Sequence, residues 1–136
     1  MRKIFVAVDG SPSSLHAART ALTIADATKG EVTLVAVVAP VVIPSDIPFP
    51  ADFTEESLKA AEVMLESAAR ELGRPQLRRM CLTGTPAERL CELGEEENAD
   101  LLVVGSKGRG AVSRMLVGST TDRLVHISQR PVLVVR

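Results

Sequence analysis

Glycines and hydroxyls crowd one stretch near the C-terminus: Gly105-Ser106-Lys107-Gly108-Arg109-Gly110, then Gly118-Ser119-Thr120-Thr121. The stretch follows the apolar run Leu101-Leu102-Val103-Val104 and carries Lys107, Arg109 and Arg114 with no acidic residue. This is the chemistry of phosphate binding. Gly105 lets backbone come close to a ribose or phosphate. Gly108 and Gly110 permit positive φ, which turns successive N–H groups inward as an anion nest. Gly118-Ser119 opens a helix whose first N–H groups and positive dipole end face the same spot. Ser119, Thr120 and Thr121 add hydroxyl donors, each bond to a charged oxygen contributing about 1.5–3 kcal/mol. The glycines alone fit a solvated loop and helix cap equally well; the basic residues favour the phosphate cradle.

Other chemistries find less support. No Gly-x-x-x-x-Gly-Lys-Ser/Thr loop occurs, and the turn Asp9-Gly10-Ser11-Pro12-Ser13-Ser14 lacks the dinucleotide Gly-x-Gly-x-x-Gly. There is no Gly-x-Ser-x-Gly elbow. His16 and His126 have no partner at metal-ligand spacing. Taken by itself, Asp9 before Gly-Ser reads as a turn former or cap. Beside a triphosphate it is also a reasonable Mg²⁺ ligand, because that ion is held by one or two carboxylates plus phosphate oxygens. Glu95-Glu96-Glu97 reads as a solvated helix end, and Cys81 and Cys91 as reduced, mostly buried thiols.

The elements that must position these residues follow from periodicity. Residues 3–8 are a β-rich run ending at the Asp9–Pro12 turn cluster. Leu15, Ala18, Leu22 and Ala25 recur at helical spacing, with Gly30 as the stop. Residues 32–38 are continuously apolar, as in a strand covered on both faces. Pro40, Pro44, Pro48 and Pro50 make residues 40–50 a surface loop. Asp52 or Thr54 caps a helix striped by Leu58, Ala61, Leu65, Ala68 and Leu72 and ended by Gly73. Residues 76–83 predict a weaker strand near a sheet edge, since Arg78 and Arg79 interrupt it. Thr85-Pro86-Ala87-Glu88 predicts a capping box opening a helix to about Asn98. Residues 101–104, 119–128 and 131–135 predict a strand, a helix and a last strand.

This alternation predicts one α/β domain over residues 1–136: a doubly wound, five-stranded parallel sheet of order 3-2-1-4-5 with helices on both faces. Ligands on such sheets bind at the C-terminal strand edge where strand order reverses. There the Asp9 turn and the glycine stretch meet.

Composition narrows the function. Net charge is −1, so no general attraction to nucleic acid or anionic membrane is expected. With three Phe and no Trp or Tyr, base stacking by a single-strand binder is unsupported. The run Ile4-Phe5-Val6-Ala7-Val8 is too short for a signal peptide or membrane span, so a cytoplasmic location is expected.

The chain resembles the universal stress proteins. ATP-binding members of that family carry Gly-x-x-Gly, nine residues, then Gly-Ser/Thr, and Gly105, Gly108, Gly118 and Ser119 have that spacing. The opening Ile4–Ser11 segment, the strand Ala99-Asp100-Leu101-Leu102-Val103-Val104-Gly105-Ser106 and the closing Arg130-Pro131-Val132-Leu133-Val134-Val135 extend the resemblance over nearly the whole chain. It implies ATP with Mg²⁺ (or Mn²⁺) as ligand. Asp9 would sit by the adenosine or its metal, Val37 by adenine through its backbone, and Gly105 by the ribose. Gly108, Gly118, Ser119, Thr120 and Thr121 would surround the phosphates. Ala7 departs from the Pro of some ATP binders.

The last strand, Val132–Val135, is apolar and expected at a sheet edge, where two copies could pair antiparallel into a homodimer. The family resemblance implies the same. The expected role is regulatory, in stress response, with ATP turnover slow or absent because no general base or partnered nucleophile stands out. Two other readings stay open: a nucleotide-free interaction module, and an enzyme of the wider adenine-nucleotide fold, whose first-loop motifs this chain lacks.

Overall fold

The computed structural model describes residues 2–39, 53–107 and 118–136. The expected proline loop at 40–50, the Asp52 cap, and Gly108, Arg109, Gly110 and Arg114 lie outside the described residues. The elements are β1 (Lys3–Ala7), α1 (Pro12–Thr28), β2 (Glu31–Val38), α2 (Phe53–Glu71), β3 (Arg78–Thr83), α3 (Pro86–Glu96), β4 (Leu101–Gly105), α4 (Ser119–Ile127) and β5 (Val132–Val135). The sheet is parallel throughout, in the order β3-β2-β1-β4-β5. The α/β class, the strand order and the edge position of β3 are as the sequence predicts.

Strand alternation divides the core in two. Ile4, Val6, Leu34 and Val103 face α1 and α2, where Ala17, Ala18, Ala21, Leu65 and Ala69 meet them. Phe5, Val35, Leu102 and Val104 face α3 and α4, which contribute Leu90, Leu93 and Leu124. Successive residues of a strand point to opposite faces, so a continuous apolar run means cover on both sides. The alanine face of α1 brings that helix close to β1 and β4, which matters for the site.

Three local expectations are corrected. The helix stop after α1 is Lys29 in the left-handed region (φ 58), not Gly30. The N–H groups of both Lys29 and Gly30 reach the Ala25 carbonyl, so the terminating bonds outweigh the cost of a non-glycine residue there. Of the two caps expected for α2, Thr54 lies inside the helix, which begins at Phe53, and Asp52 is outside the described residues. The capping box at α3 does not form. Thr85 occupies the N-cap position, but its side chain caps nothing. Glu88 reaches instead to α4, where its Oε1 accepts from Arg123 Nε at 2.9 Å. At the far end of α3, Asn98 (φ 54) turns the chain toward β4.

The N-terminal edge of the sheet is pinned by Asp100. Its Oδ2 accepts from the backbone N–H groups of both Arg2 and Lys3 at 2.9 Å. Those two bonds hold its carboxyl below the usual carboxylate range.

Candidate functional site

The turn between β1 and α1 is built by its own short side chains. Gly10 takes φ +85, which its lack of a Cβ allows, and Met64 of α2 lies across it, 3.4 Å from where a Cβ would stand. The Ser11 N–H donates to Asp9 Oδ1 at 2.9 Å. Ser11 then caps α1, its Oγ accepting from the Ser14 N–H at 3.2 Å, with Pro12 in the first helical turn. Buried Ser14 donates its hydroxyl to the Ser11 carbonyl at 2.9 Å and accepts from the Asp9 N–H at 3.3 Å. Asp9 is thereby presented, half-buried, at the C-terminal edge of the sheet.

The exit of β4 is gripped from several sides. Ser106 N–H donates to the Val135 carbonyl at 2.9 Å, which carries the β5 pairing past the strand end. The Gly118 N–H donates to the Ser106 carbonyl at 2.7 Å, tying the start of α4 to the same place. Buried Thr121 donates its hydroxyl to the Gly105 carbonyl at 2.7 Å. On the opposite side Ser13 presses against Gly105, and its Oγ accepts from the Lys107 N–H at 3.3 Å.

The structure thus places the sequence-identified residues as follows. Gly105, Gly118, Ser119, Thr120 and Thr121 come together where β4 ends and α4 begins. Asp9 belongs to the turn that Ser13 joins to them. Val37 sits near the C-terminal end of β2, half-buried and paired with Leu82 of β3. Gly108 lies outside the described residues. Ser119 and Thr120 are exposed, whereas the Thr121 hydroxyl proton is spent on Gly105.

Gly118 is the N-cap of α4 in extended geometry (φ −60, ψ 151), and no side chain caps the helix. Asp122 N–H bonds back to the Gly118 carbonyl. The N–H groups of Ser119, Thr120 and Thr121 precede the first intrahelical donor, and among the described residues none accepts from them. They form the positive end of the helix dipole. Asp122 adds a negative charge in the first turn, but its side chain is 68% exposed and screened.

This donor set suits the phosphates of a nucleotide. For a metal, no cluster of three His, Cys, Asp or Glu exists among the described residues. Among the described residues Asp9 and the more exposed Asp122 are carboxylates at this edge, so a Mg²⁺ here would take most of its ligands from phosphate oxygens and water. Burial pushes the thiols of Cys81 on β3 and Cys91 on α3 up, leaving them protonated and poorly nucleophilic.

Two features escaped sequence reasoning. Ser13 read as one serine of a turn cluster, and its contact lies 94 positions away at Lys107. Thr121 read as a phosphate donor, and its buried brace to Gly105 becomes evident only in the folded chain. The smallness of Gly105 is the one available signal for either: a strand-ending glycine marks close approach by something.

Comparison with known proteins bears on this geometry. The sequence pattern of the Universal stress protein family matches residues 1–136. A universal stress protein of Methanocaldococcus jannaschii is 33% identical over 140 residues, covering 99% of this chain and 82% of that protein. Among solved structures, a universal stress protein in complex with cAMP superposes with a TM-score of 0.70 at 29% identity, covering 99% of this chain and 96% of the other. The universal stress protein UspA from Lactobacillus plantarum reaches a TM-score of 0.79 at 27% identity, covering 99% and 97%.

Proposed function

The chain belongs to the universal stress protein family, and from that premise we propose that it binds an adenine nucleotide, ATP with Mg²⁺ or Mn²⁺, at the C-terminal edge of its sheet. The observation that carries the reading is the uncapped start of α4. Three N–H groups without acceptors among the described residues are docked onto the exit of β4 by Gly118 and Thr121. An anion is the natural partner of such a helix end on a doubly wound sheet. The cAMP complex of a similar protein supports adenine in particular.

In this reading Gly118, Ser119, Thr120 and Thr121 hold the phosphates, Thr121 through its N–H because its hydroxyl is committed. Gly108 belongs to the same set by spacing. Gly105 lies by the ribose with one side covered by Ser13. Val37 meets adenine through its backbone. Asp9 faces the adenosine or holds the metal, whose chemistry is to neutralise phosphate charge. Binding shifts a conformational or partner equilibrium in a regulatory stress response, and turnover is slow or absent.

We further propose a homodimer through β5. Both sheet edges are open to pairing in principle. β3 begins with exposed Arg78 and Arg79, whereas β5 is Val132-Leu133-Val134-Val135 with no charge. Charged residues blunt an edge and apolar ones leave it adhesive.

The test uses the composition. Without Trp or Tyr the protein scarcely absorbs in the near ultraviolet, so a nucleotide band in the purified protein reports bound ligand. Calorimetry with Mg·ATP, AMP and cAMP then ranks ligands. Saturable binding is expected. No binding at millimolar concentrations of all three would leave the nucleotide-free interaction module in its place. Several turnovers of ATP per second would make the protein an enzyme.

A further inference from the structure

We propose that Ser13 is a positioning residue for nucleotide binding, coupling the Asp9 turn to the exit of β4; this rests on the adenine-nucleotide reading above. The two halves of the site come from opposite ends of the chain and must be held at a fixed span. Adenosine would be met from the β1 and β2 side, and phosphates from α4. Ser13 joins the two halves. Its Oγ accepts from the Lys107 N–H at 3.3 Å, and its backbone fills the face that Gly105 leaves open.

The turn carrying Ser13 is rigid for its own reasons. Ser11 and Ser14 bond each other twice, and Asp9 is bonded to both. A rigid turn that grips Lys107 passes its position to the strand exit. Thr121 and Gly118 fix the same exit to α4 on the other side. Removing the Ser13 hydroxyl leaves the part-buried Lys107 N–H without its acceptor and lets the exit drift from the turn. Sites that must match a ligand at two points lose affinity when the supporting contacts loosen, because the ligand then has to order them.

Ser13→Ala and Ser13→Thr test this against wild type, with calorimetric titration by Mg·ATP and by AMP, amide hydrogen exchange at Lys107, and thermal unfolding. Ser13→Ala is expected to weaken Mg·ATP about three- to tenfold and to speed Lys107 exchange in the free protein. Ser13→Thr, which keeps the acceptor, is expected to restore both within about twofold. A folded Ser13→Ala protein that binds Mg·ATP as wild type does overturns the proposal, whether or not its melting temperature falls. So does a Ser13→Thr protein with native Lys107 exchange and the affinity of the alanine variant. If wild type binds neither Mg·ATP nor AMP, the nucleotide reading has failed and takes this inference with it.

Discussion

Gly105 and Ser13 meet backbone to backbone: a Cβ on Gly105 would stand 2.5 Å from Ser13 Oγ, 2.8 Å from its carbonyl oxygen and 2.9 Å from its carbonyl carbon. Real Cβ atoms do not approach that closely, so the first turn of α1 can sit on the end of β4 only because residue 105 has no side chain. The contact is a packing requirement of the fold, independent of any ligand.

Gly105→Ala should therefore unfold more easily, by about 1–3 kcal/mol, as overpacked sites do. Adding Ser13→Ala removes the hydroxyl but leaves the carbonyl at 2.8 Å, so the double variant should recover only part of the loss. Urea denaturation of the three variants measures this. Full recovery in the double variant would show that the side chain alone is in the way. A Gly105→Ala protein as stable as wild type would mean that α1 can slide.

Gly118→Val asks the opposite question. Gly118 has φ −60 and ψ 151, which any L-residue adopts, so its glycine is not demanded by the backbone. The N–H bond to Ser106 survives the substitution, and replacing an N-cap glycine by an apolar residue costs at most about 1 kcal/mol. A branched side chain at the mouth of α4 should nevertheless exclude phosphates and reduce Mg·ATP affinity more than about tenfold. Calorimetry on the folded variant decides; wild-type affinity would place the phosphates elsewhere.

Much of this arrangement was legible in the sequence. The five apolar runs bounded by Gly, Pro, Asp and Ser spell out the alternation, and the arginines of β3 reveal its edge position. What could not be read are choices made across long separations. Glu88 abandons the Thr85 cap because Arg123, 35 residues on, offers a charged partner. Lys29 takes the left-handed turn beside an available glycine because both N–H groups then reach Ala25. The glycine at 105 signals a close approach, but that Ser13, far away in the chain, packs against it is visible only in the folded protein.

Asp100 predicts a pH dependence. Its carboxylate accepts two backbone N–H bonds in the folded protein, which depress its folded pKa below the unfolded value of about 3.9. A depressed folded pKa contributes stability that is present above the unfolded value and is lost as pH falls through the folded one. Asp100→Asn should thus melt below wild type near neutral pH, and the gap should narrow below about pH 4. Thermal unfolding from pH 7 to pH 2.5 follows the difference. A gap that stays constant across that range would mean the bonds do not depend on the charge.

The β5 edge carries the last prediction. Val132, Leu133 and Val134 are half-buried in the single chain and Val135 is buried, so the strand is only partly covered by its own helices. Antiparallel pairing of two such strands about a two-fold axis would complete a continuous sheet and bury their apolar edges. A lysine at position 134 brings a charge from each copy into the proposed seam, while its long stem can still lie along the core and lift the ammonium to solvent. If the protein pairs through β5 as proposed, Val134→Lys should shift it from dimer to monomer in light scattering, with the helical and sheet content in circular dichroism retained. Arg79→Leu at the opposite edge, which removes a charge from β3, should leave the dimer alone. A dimer that survives Val134→Lys in a folded protein would move the interface off β5.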